Sequence, residues 1–144
     1  MTKIATDLSG YPSRYFESWN RQDIDFALAA IAADVRWTDP LLPAPLTTRE
    51  EARGFFTFGW AAFPDLRFEA VGGPLVDDAN RTVAQEWVMT GSDSGVGYRP
   101  DVPPTGKSFA VRGTDIWTLD VNGQAKSVAA YWDSADLARQ LDPS

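Results

Sequence analysis

Val35-Arg36-Trp37-Thr38-Asp39-Pro40 is the stretch around which the rest of the chain can be organised. In an extended chain successive side chains point to opposite faces, so Val35, Trp37 and Asp39 share one face. Pro40 disfavours helix for the residue before it, which keeps Asp39 extended at the end of a strand. An ionised carboxylate is costly to bury on an apolar face, so Asp39 is predicted to be paired, protonated or functional.

The composition predicts one soluble globular domain over residues 1–144, because 44% of the residues are hydrophobic and 23% are charged. A formal charge of −7 repels phosphate groups, so nucleic acid and anionic membranes are poor candidate partners. The chain has no cysteine and no histidine, which leaves acid–base chemistry to carboxylates, tyrosine or lysine. The N-terminus carries no apolar signal segment, so we expect a cytoplasmic protein.

Apolar residues at spacings of three and four predict helices over residues 7–20, 24–33, 49–63 and 134–141. Pro12 predicts that the first of these helices either starts near Pro12 or is kinked there. Thr48-Arg49-Glu50-Glu51 has the pattern of a capping box, and Pro64 should stop the helix that follows it. Period-two alternation predicts strands at 66–72, 80–91, 107–119 and 126–133, in addition to the strand before Asp39.

The segments between these elements have the composition of turns and loops. Residues 77–80 and 120–123 should form hairpin turns, whereas 41–46 and 92–106 should be loops, the latter at the mouth of a pocket. Helices followed by antiparallel strands indicate an α+β fold, in which helices cover one face of a curved sheet and can enclose a pocket.

A second acid repeats the pattern of Asp39. On the predicted strand 107–119, Asp115 shares a face with Val111 and Trp117, whose apolar surroundings would raise its pKa. A structural role, with the carboxylate accepting backbone hydrogen bonds, stays open for each acid. Tyr15 lies in the apolar stripe of the first helix and could be core or a donor aimed at a ligand.

Several of these segments resemble the ketosteroid isomerases. Arg14-Tyr15, residues 20–25 and the stretch 35–40 are similar to the segment that carries their helix tyrosine and their general-base aspartate. Gly113-Thr114-Asp115-Ile116-Trp117 resembles the strand that carries their second, protonated aspartate. The resemblance implies catalytic roles for Tyr15, Asp39 and Asp115.

Other segments resemble the SnoaL-like polyketide cyclases of the nuclear-transport-factor-2-like superfamily, namely 63–67, 104–107, 130–133 and 137–141. This resemblance implies a cone-shaped, mostly antiparallel sheet wrapped on the N-terminal helices. Tyr131-Trp132-Asp133 is also similar to a segment of limonene-epoxide hydrolases, whose Arg-x-Asp pair is replaced here by residues 87–89. Asp133 is therefore either a further catalytic acid or the N-cap of the last helix.

The leading hypothesis is a cofactor-independent, metal-free isomerase or cyclase that removes a proton next to a carbonyl of an apolar, steroid- or polyketide-like substrate. Asp39 would be the base, and Tyr15 and Asp115 would donate hydrogen bonds to the oxyanion. The alternatives are a binding module without catalysis and, less favoured, a dimeric scaffold whose exposed sheet face pairs with a copy of itself or an epoxide hydrolase. A homodimer is expected. The aromatic residues predicted to bind substrate are Trp37, Phe55, Phe56, Trp60, Trp87, Trp117 and Tyr131.

Overall fold

The computed structural model describes residues 8–143 as four α-helices and one five-stranded sheet. A short 3-10 turn, Leu8–Gly10, precedes the first helix. In chain order the elements are α1 (Tyr11–Arg21), α2 (Ile24–Ala29), β1 (Ile31–Thr38), α3 (Arg49–Ala62), β2 (Arg67–Asp77), β3 (Thr82–Ser92), β4 (Ser108–Leu119), β5 (Ala125–Trp132) and α4 (Ser134–Leu141). No helix within residues 8–143 is long and apolar enough to cross a bilayer.

The strands form one mixed sheet in the order β1-β5-β4-β3-β2. β1 runs parallel to β5, and the other three pairs are antiparallel. The pairing register shifts within the β1–β5, β2–β3 and β4–β5 ladders, and such irregularities bend strands. The α+β fold predicted from the sequence is confirmed: a curved, mostly antiparallel sheet closes over the N-terminal helices.

The helices cover the inner face of this sheet with aromatic side chains. Tyr15 on α1 packs against Trp117 of β4 and Trp37 of β1, with ring centroids 5.0 and 5.9 Å away. α3 begins as its sequence predicts, because the Thr48 hydroxyl accepts a hydrogen bond from the backbone N–H of Glu51. The inner face of the sheet and the helices therefore enclose one aromatic core.

The observed elements differ from the predicted ones mainly at their ends. The prediction of α2 over residues 24–33 was wrong, because α2 ends at Ala29 and Ile31 already belongs to β1. The carbonyl of Ala30 accepts hydrogen bonds from the Tyr11 hydroxyl and from the N–H of Ala125, which commits the chain to the sheet there.

Two further boundaries moved. The strand predicted at 66–72 extends to Asp77, since pairing resumes at Leu75 beyond the irregularity at Gly72. The first helix starts at Tyr11 with Pro12 in its first turn, which agrees with the predicted alternative of a start near Pro12; residue 7 lies outside the described residues. The extension of β2 arises from sheet pairing that local patterns do not encode.

Candidate active site

The cavity at the centre of the fold lies between α1, α3, α4 and the inner face of the sheet. Its volume is about 40 Å³, room for about three water molecules. Most of its lining is apolar, and the polar groups in it come from separate elements. The residues that line it are Tyr15, Trp19, Asp39, Leu41, Phe55, Phe58, Gly59, Phe63, Leu66, Phe68, Trp87, Met89, Asp115, Trp132 and Leu137.

Asp115 reaches the cavity from the middle of β4, where it is paired with Gln85 on one side and Ala130 on the other. Its side chain is buried, with only 2% of the residue exposed. Burial raises the pKa of Asp115 to about 8, and the negative charge of Asp39 adds to the rise. The Trp87 indole opposes the rise, although neither Trp87 Nε1 nor Asp115 Oδ1 has a hydrogen-bond partner of standard geometry.

Asp39 enters the cavity directly after the last residue of β1, and Pro40 follows it as the chain turns. Oδ1 accepts a hydrogen bond from the backbone N–H of Leu41 at 2.9 Å, and Oδ2 accepts one from Trp132 Nε1 at 3.2 Å. Burial raises the pKa of Asp39, and these two donors oppose the rise because they stabilise the ionised form. Asp39 is thus the better solvated of the two acids.

Tyr15 reaches the same cavity from α1. Burial is the largest cause of its raised pKa, and the nearby charge of Asp115 adds to it, so the phenol is neutral at physiological pH. The Tyr11 hydroxyl, by contrast, is bonded to the Ala30 carbonyl at 2.8 Å and faces away from the lining. The three candidate catalytic residues Tyr15, Asp39 and Asp115 therefore line one cavity.

Gly113 allows two tryptophans to approach the acids. It is the register partner of Trp87 on β3 and of Trp132 on β5. A Cβ at Gly113 would lie 2.6 Å from the Trp87 ring and 2.8 Å from Trp132 Cβ, so any side chain there would displace both residues. The absence of a side chain at Gly113 thus leaves room for Trp132, which donates to Asp39, and for the Trp87 indole beside Asp115.

The predicted substrate-binding aromatics divide into two groups. Phe55 and Trp87 line the cavity. Trp37, Phe56 and Trp117 are buried behind the lining, at no more than 1% exposure, and belong to the core. Trp60 lies to the side, where its Nε1 donates to the Trp19 carbonyl. Alternation along a strand identifies the inner face but does not tell which inner residues reach the cavity.

Tyr131 and Asp133 lie outside the cavity. Tyr131 is on the outer face of β5 and is 61% exposed. The Asp133 carboxylate accepts hydrogen bonds from the N–H groups of Ala135 and Asp136 and caps α4, while its other oxygen lies 3.7 Å from Arg139. The capping role that the sequence left open for Asp133 is the one its contacts fit.

Sequence reasoning did not assign Trp132, Trp19 or Phe58 to the site. Trp132 alternates with Val128 and Ala130 on β5, which was a signal that it faces inward. Trp19 and Trp87 each carry an indole N–H that is buried, without a hydrogen-bond partner, on a cavity-lining residue. Together with the neutral Tyr15 hydroxyl they make the cavity rich in donors.

Within residues 8–143 no three acidic side chains lie close enough together to hold a metal ion. The polar groups of the cavity are instead suited to proton transfer and hydrogen bonding. Burial raises the pKa of both carboxyls, but two donors oppose the rise at Asp39, whereas the pKa of Asp115 reaches about 8. Such a pair can divide the roles of base and acid between two chemically identical groups.

This fold and cavity define the class: an α+β cone of the nuclear-transport-factor-2-like superfamily with an acid-lined apolar interior. Residues 13–128 match the family model of the SnoaL-like domain, and the chain belongs to that family. A comparison with curated proteins finds no match.

Solved structures share the architecture at low sequence identity. A proposed SnoaL-like polyketide cyclase from Jannaschia sp. CCS1 is 21% identical, with a TM-score of 0.82, and the match covers 100% of this chain and 97% of that one. A proposed polyketide cyclase from Xanthomonas campestris pv. campestris is also 21% identical, with a TM-score of 0.80 and coverages of 94% and 96%. The proposed hydroxylase AclR from Streptomyces galilaeus is 17% identical, with a TM-score of 0.77 and coverages of 98% and 88%. At these identities the likeness establishes the fold alone.

Proposed function

We propose that this protein is a cofactor-independent enzyme that removes a proton next to a carbonyl group of an apolar small molecule and stabilises the resulting enolate. The observation that carries the proposal is the convergence of Tyr15, Asp39 and Asp115, from a helix, a strand end and a second strand, on one apolar cavity. The cyclase names of similar structures agree with this class of reaction.

Asp39 is the base in this mechanism. Its carboxylate takes the proton from the carbon next to the carbonyl, and the C–H bonding electrons form the enolate while the carbonyl π electrons move onto oxygen. The raised pKa of Asp39 makes it a stronger base than a carboxylate in water, and the Leu41 and Trp132 donors keep it ionised and oriented. Protonated Asp39 can return the proton to a different carbon, which completes an isomerisation.

Asp115 and Tyr15 stabilise the enolate oxygen. With a pKa of about 8, Asp115 is mostly protonated at pH 7 and can donate a hydrogen bond, as can the neutral Tyr15 hydroxyl. Such donors contribute most in a dry site, where they need no reorganisation as charge develops. If the enolate carbon attacks a second carbonyl of the same substrate, the product is a new ring.

The test is hydrogen–deuterium exchange at C1 of 2-tetralone, an apolar ketone with an acidic C–H. The exchange is monitored by NMR in D₂O, and larger aryl ketones are tested in the same way. Asp39→Asn keeps the shape of the side chain and loses its basicity, so we expect exchange to slow by roughly 100-fold to 10,000-fold without loss of folding. Asp133→Asn, outside the cavity, is the matched control. Equal rates in wild type and Asp39→Asn would exclude Asp39 as the base.

The second candidate is an apolar-ligand-binding module without catalysis, of the kind that this fold class also supports. The observation that favours it is the small volume of the cavity, about 40 Å³, which does not admit a ring system without movement of its walls. If the ketones bind and their hydrogen–deuterium exchange is no faster than in buffer, the protein binds ligands without catalysis. The homodimer and the cytoplasmic location stay predictions; light scattering in solution tests the first.

A further inference from the structure

A second cavity lies on the outer side of the same wall. This outer groove, between the loop after Asp39 and helix α3, has a volume of about 260 Å³. It shares three lining residues with the inner cavity, Leu41, Phe55 and Phe58. These three residues, here called the partition, therefore border both the groove and the space around Asp39 and Asp115.

Together, the inner cavity and the outer groove have the volume of one small-molecule site. The inner cavity, at about 40 Å³, is far below the roughly 300–1,000 Å³ of small-molecule sites. Inner cavity and groove together reach about 300 Å³, the lower end of that range. The inner cavity has room for the reacting carbonyl group and few further atoms, so the remainder of a ligand needs the groove.

The partition has a fixed side and a movable side. The backbone of Leu41 is anchored because its N–H donates to Asp39 Oδ1 at 2.9 Å. Phe55 makes edge contacts with Trp19 and Trp37, with ring centroids 5.9 and 5.4 Å away. Phe58, among the described residues, contacts no aromatic ring other than Phe55 and is half-buried. Phe58 thus has fewer ring contacts to hold it than Phe55 has.

Gly54 leaves the groove open. It is a groove-lining residue of α3, one turn before Phe58, and a Cβ built on it has no atom within 4 Å. The backbone of Gly54 is helical with no positive φ, so conformation does not require a glycine at this position. A glycine costs helix stability relative to almost any other residue, and here it leaves space in the groove.

We propose that the outer groove is a second subsite for the ligand of the inner cavity and takes an apolar tail of a few carbon atoms, with Phe58 as the gate between them. The assignment of the polar end to Tyr15 and Asp115 rests on the proposed function. The binding of the tail does not depend on it, because the groove contains neither residue.

The experiment compares phenol with 4-butylphenol, titrated into the folded protein and followed by NMR of the indole N–H signals. Each buried methylene contributes about a fourfold gain in affinity, so the butyl tail should improve binding to wild type at least tenfold. Gly54→Leu fills the groove and should reduce the ratio of the two affinities, 4-butylphenol over phenol, to less than threefold. Thr57→Leu adds a leucine to the exposed side of the same helix, outside the groove, and should keep the full gain.

Equal binding of 4-butylphenol to Gly54→Leu and wild type would overturn the subsite, as would the absence of a tail-dependent gain in wild type. If Gly54→Leu does not fold, Gly54→Ala replaces it and should reduce the affinity gain from the butyl tail at least twofold. An unreduced gain in Gly54→Ala would also overturn the subsite. Butylbenzene separates this proposal from the enzymatic one. If it binds as well as 4-butylphenol, hydroxyl recognition by Tyr15 and Asp115 fails, while its sensitivity to Gly54→Leu still reports the subsite.

Discussion

Replacement of Asp115 by asparagine should change how the stability of the protein depends on pH. The pKa of Asp115 rises from 3.8 in an exposed chain to about 8 in the folded protein. Between these values the unfolded chain has released the proton while the folded protein keeps it, so the free energy of unfolding falls as pH rises. This contribution is fully present below about pH 4 and is lost once pH passes about 8.

The magnitude follows from the pKa difference. Each pH unit in this interval lowers the free energy of unfolding by about 1.4 kcal/mol, and the whole interval lowers it by roughly 6 kcal/mol. This is a large share of the stability of a small domain. Asparagine has nearly the same shape and does not titrate here. The free energy of unfolding of Asp115→Asn, relative to that of wild type, should therefore rise by roughly 3 kcal/mol between pH 5 and pH 7.

The assay is urea unfolding at half-unit pH steps from 5 to 8, followed by tryptophan fluorescence. The matched control is Asp101→Asn, which removes a carboxyl from the exposed surface of the loop between β3 and β4. Its stability curve should run parallel to that of wild type, and only the Asp115→Asn curve should diverge. Parallel curves for wild type and Asp115→Asn would refute the argument that Asp115 is protonated in the folded protein at neutral pH.

Three further predictions concern the neighbours of the site. Trp132→Phe removes the donor to Asp39 Oδ2, so the pKa of Asp39 should rise and the acidic limb of the pH–rate profile should move to higher pH. Asp133→Ala removes the cap of α4 and should lower the free energy of unfolding in urea by about 1 kcal/mol, with the rate of ketone exchange unchanged. A large fall in that rate would instead indicate a catalytic role for Asp133. Gly95→Ala would place a Cβ 1.8 Å from the Ala61 carbonyl oxygen, so we expect a loss of about 2 kcal/mol or more, measured in the same way, and an unaltered midpoint would contradict this packing.

The position of the two acids on the inner face could be predicted from the sequence. Alternation around Trp37 and Trp117 places Asp39 and Asp115 among apolar neighbours, and the structure gives both of them inward positions. The structure also puts Tyr15 inside, as the helical stripe of α1 indicated. These inferences succeeded because period and face are local properties of a strand or helix.

The make-up of the lining could not be predicted in the same way. Trp37 and Trp87 both face inward, yet only Trp87 reaches the cavity, because depth depends on what packs against each ring. The bond from Trp132 to Asp39 joins residues 93 positions apart in the chain. It depends on the parallel pairing of β1 with β5, which no local pattern encodes.

The amino-acid sequence by itself determined the kinds of element, their approximate limits, the inner faces and the restriction of acid–base chemistry to carboxylates and tyrosine. Those properties depend on backbone preferences and on burial over a few residues. The tertiary structure alone decided which groups donate to Asp39, which aromatic residues line the cavity, and how small that cavity is. Each of these depends on side chains from several elements meeting in a curved sheet, and therefore on long-range packing.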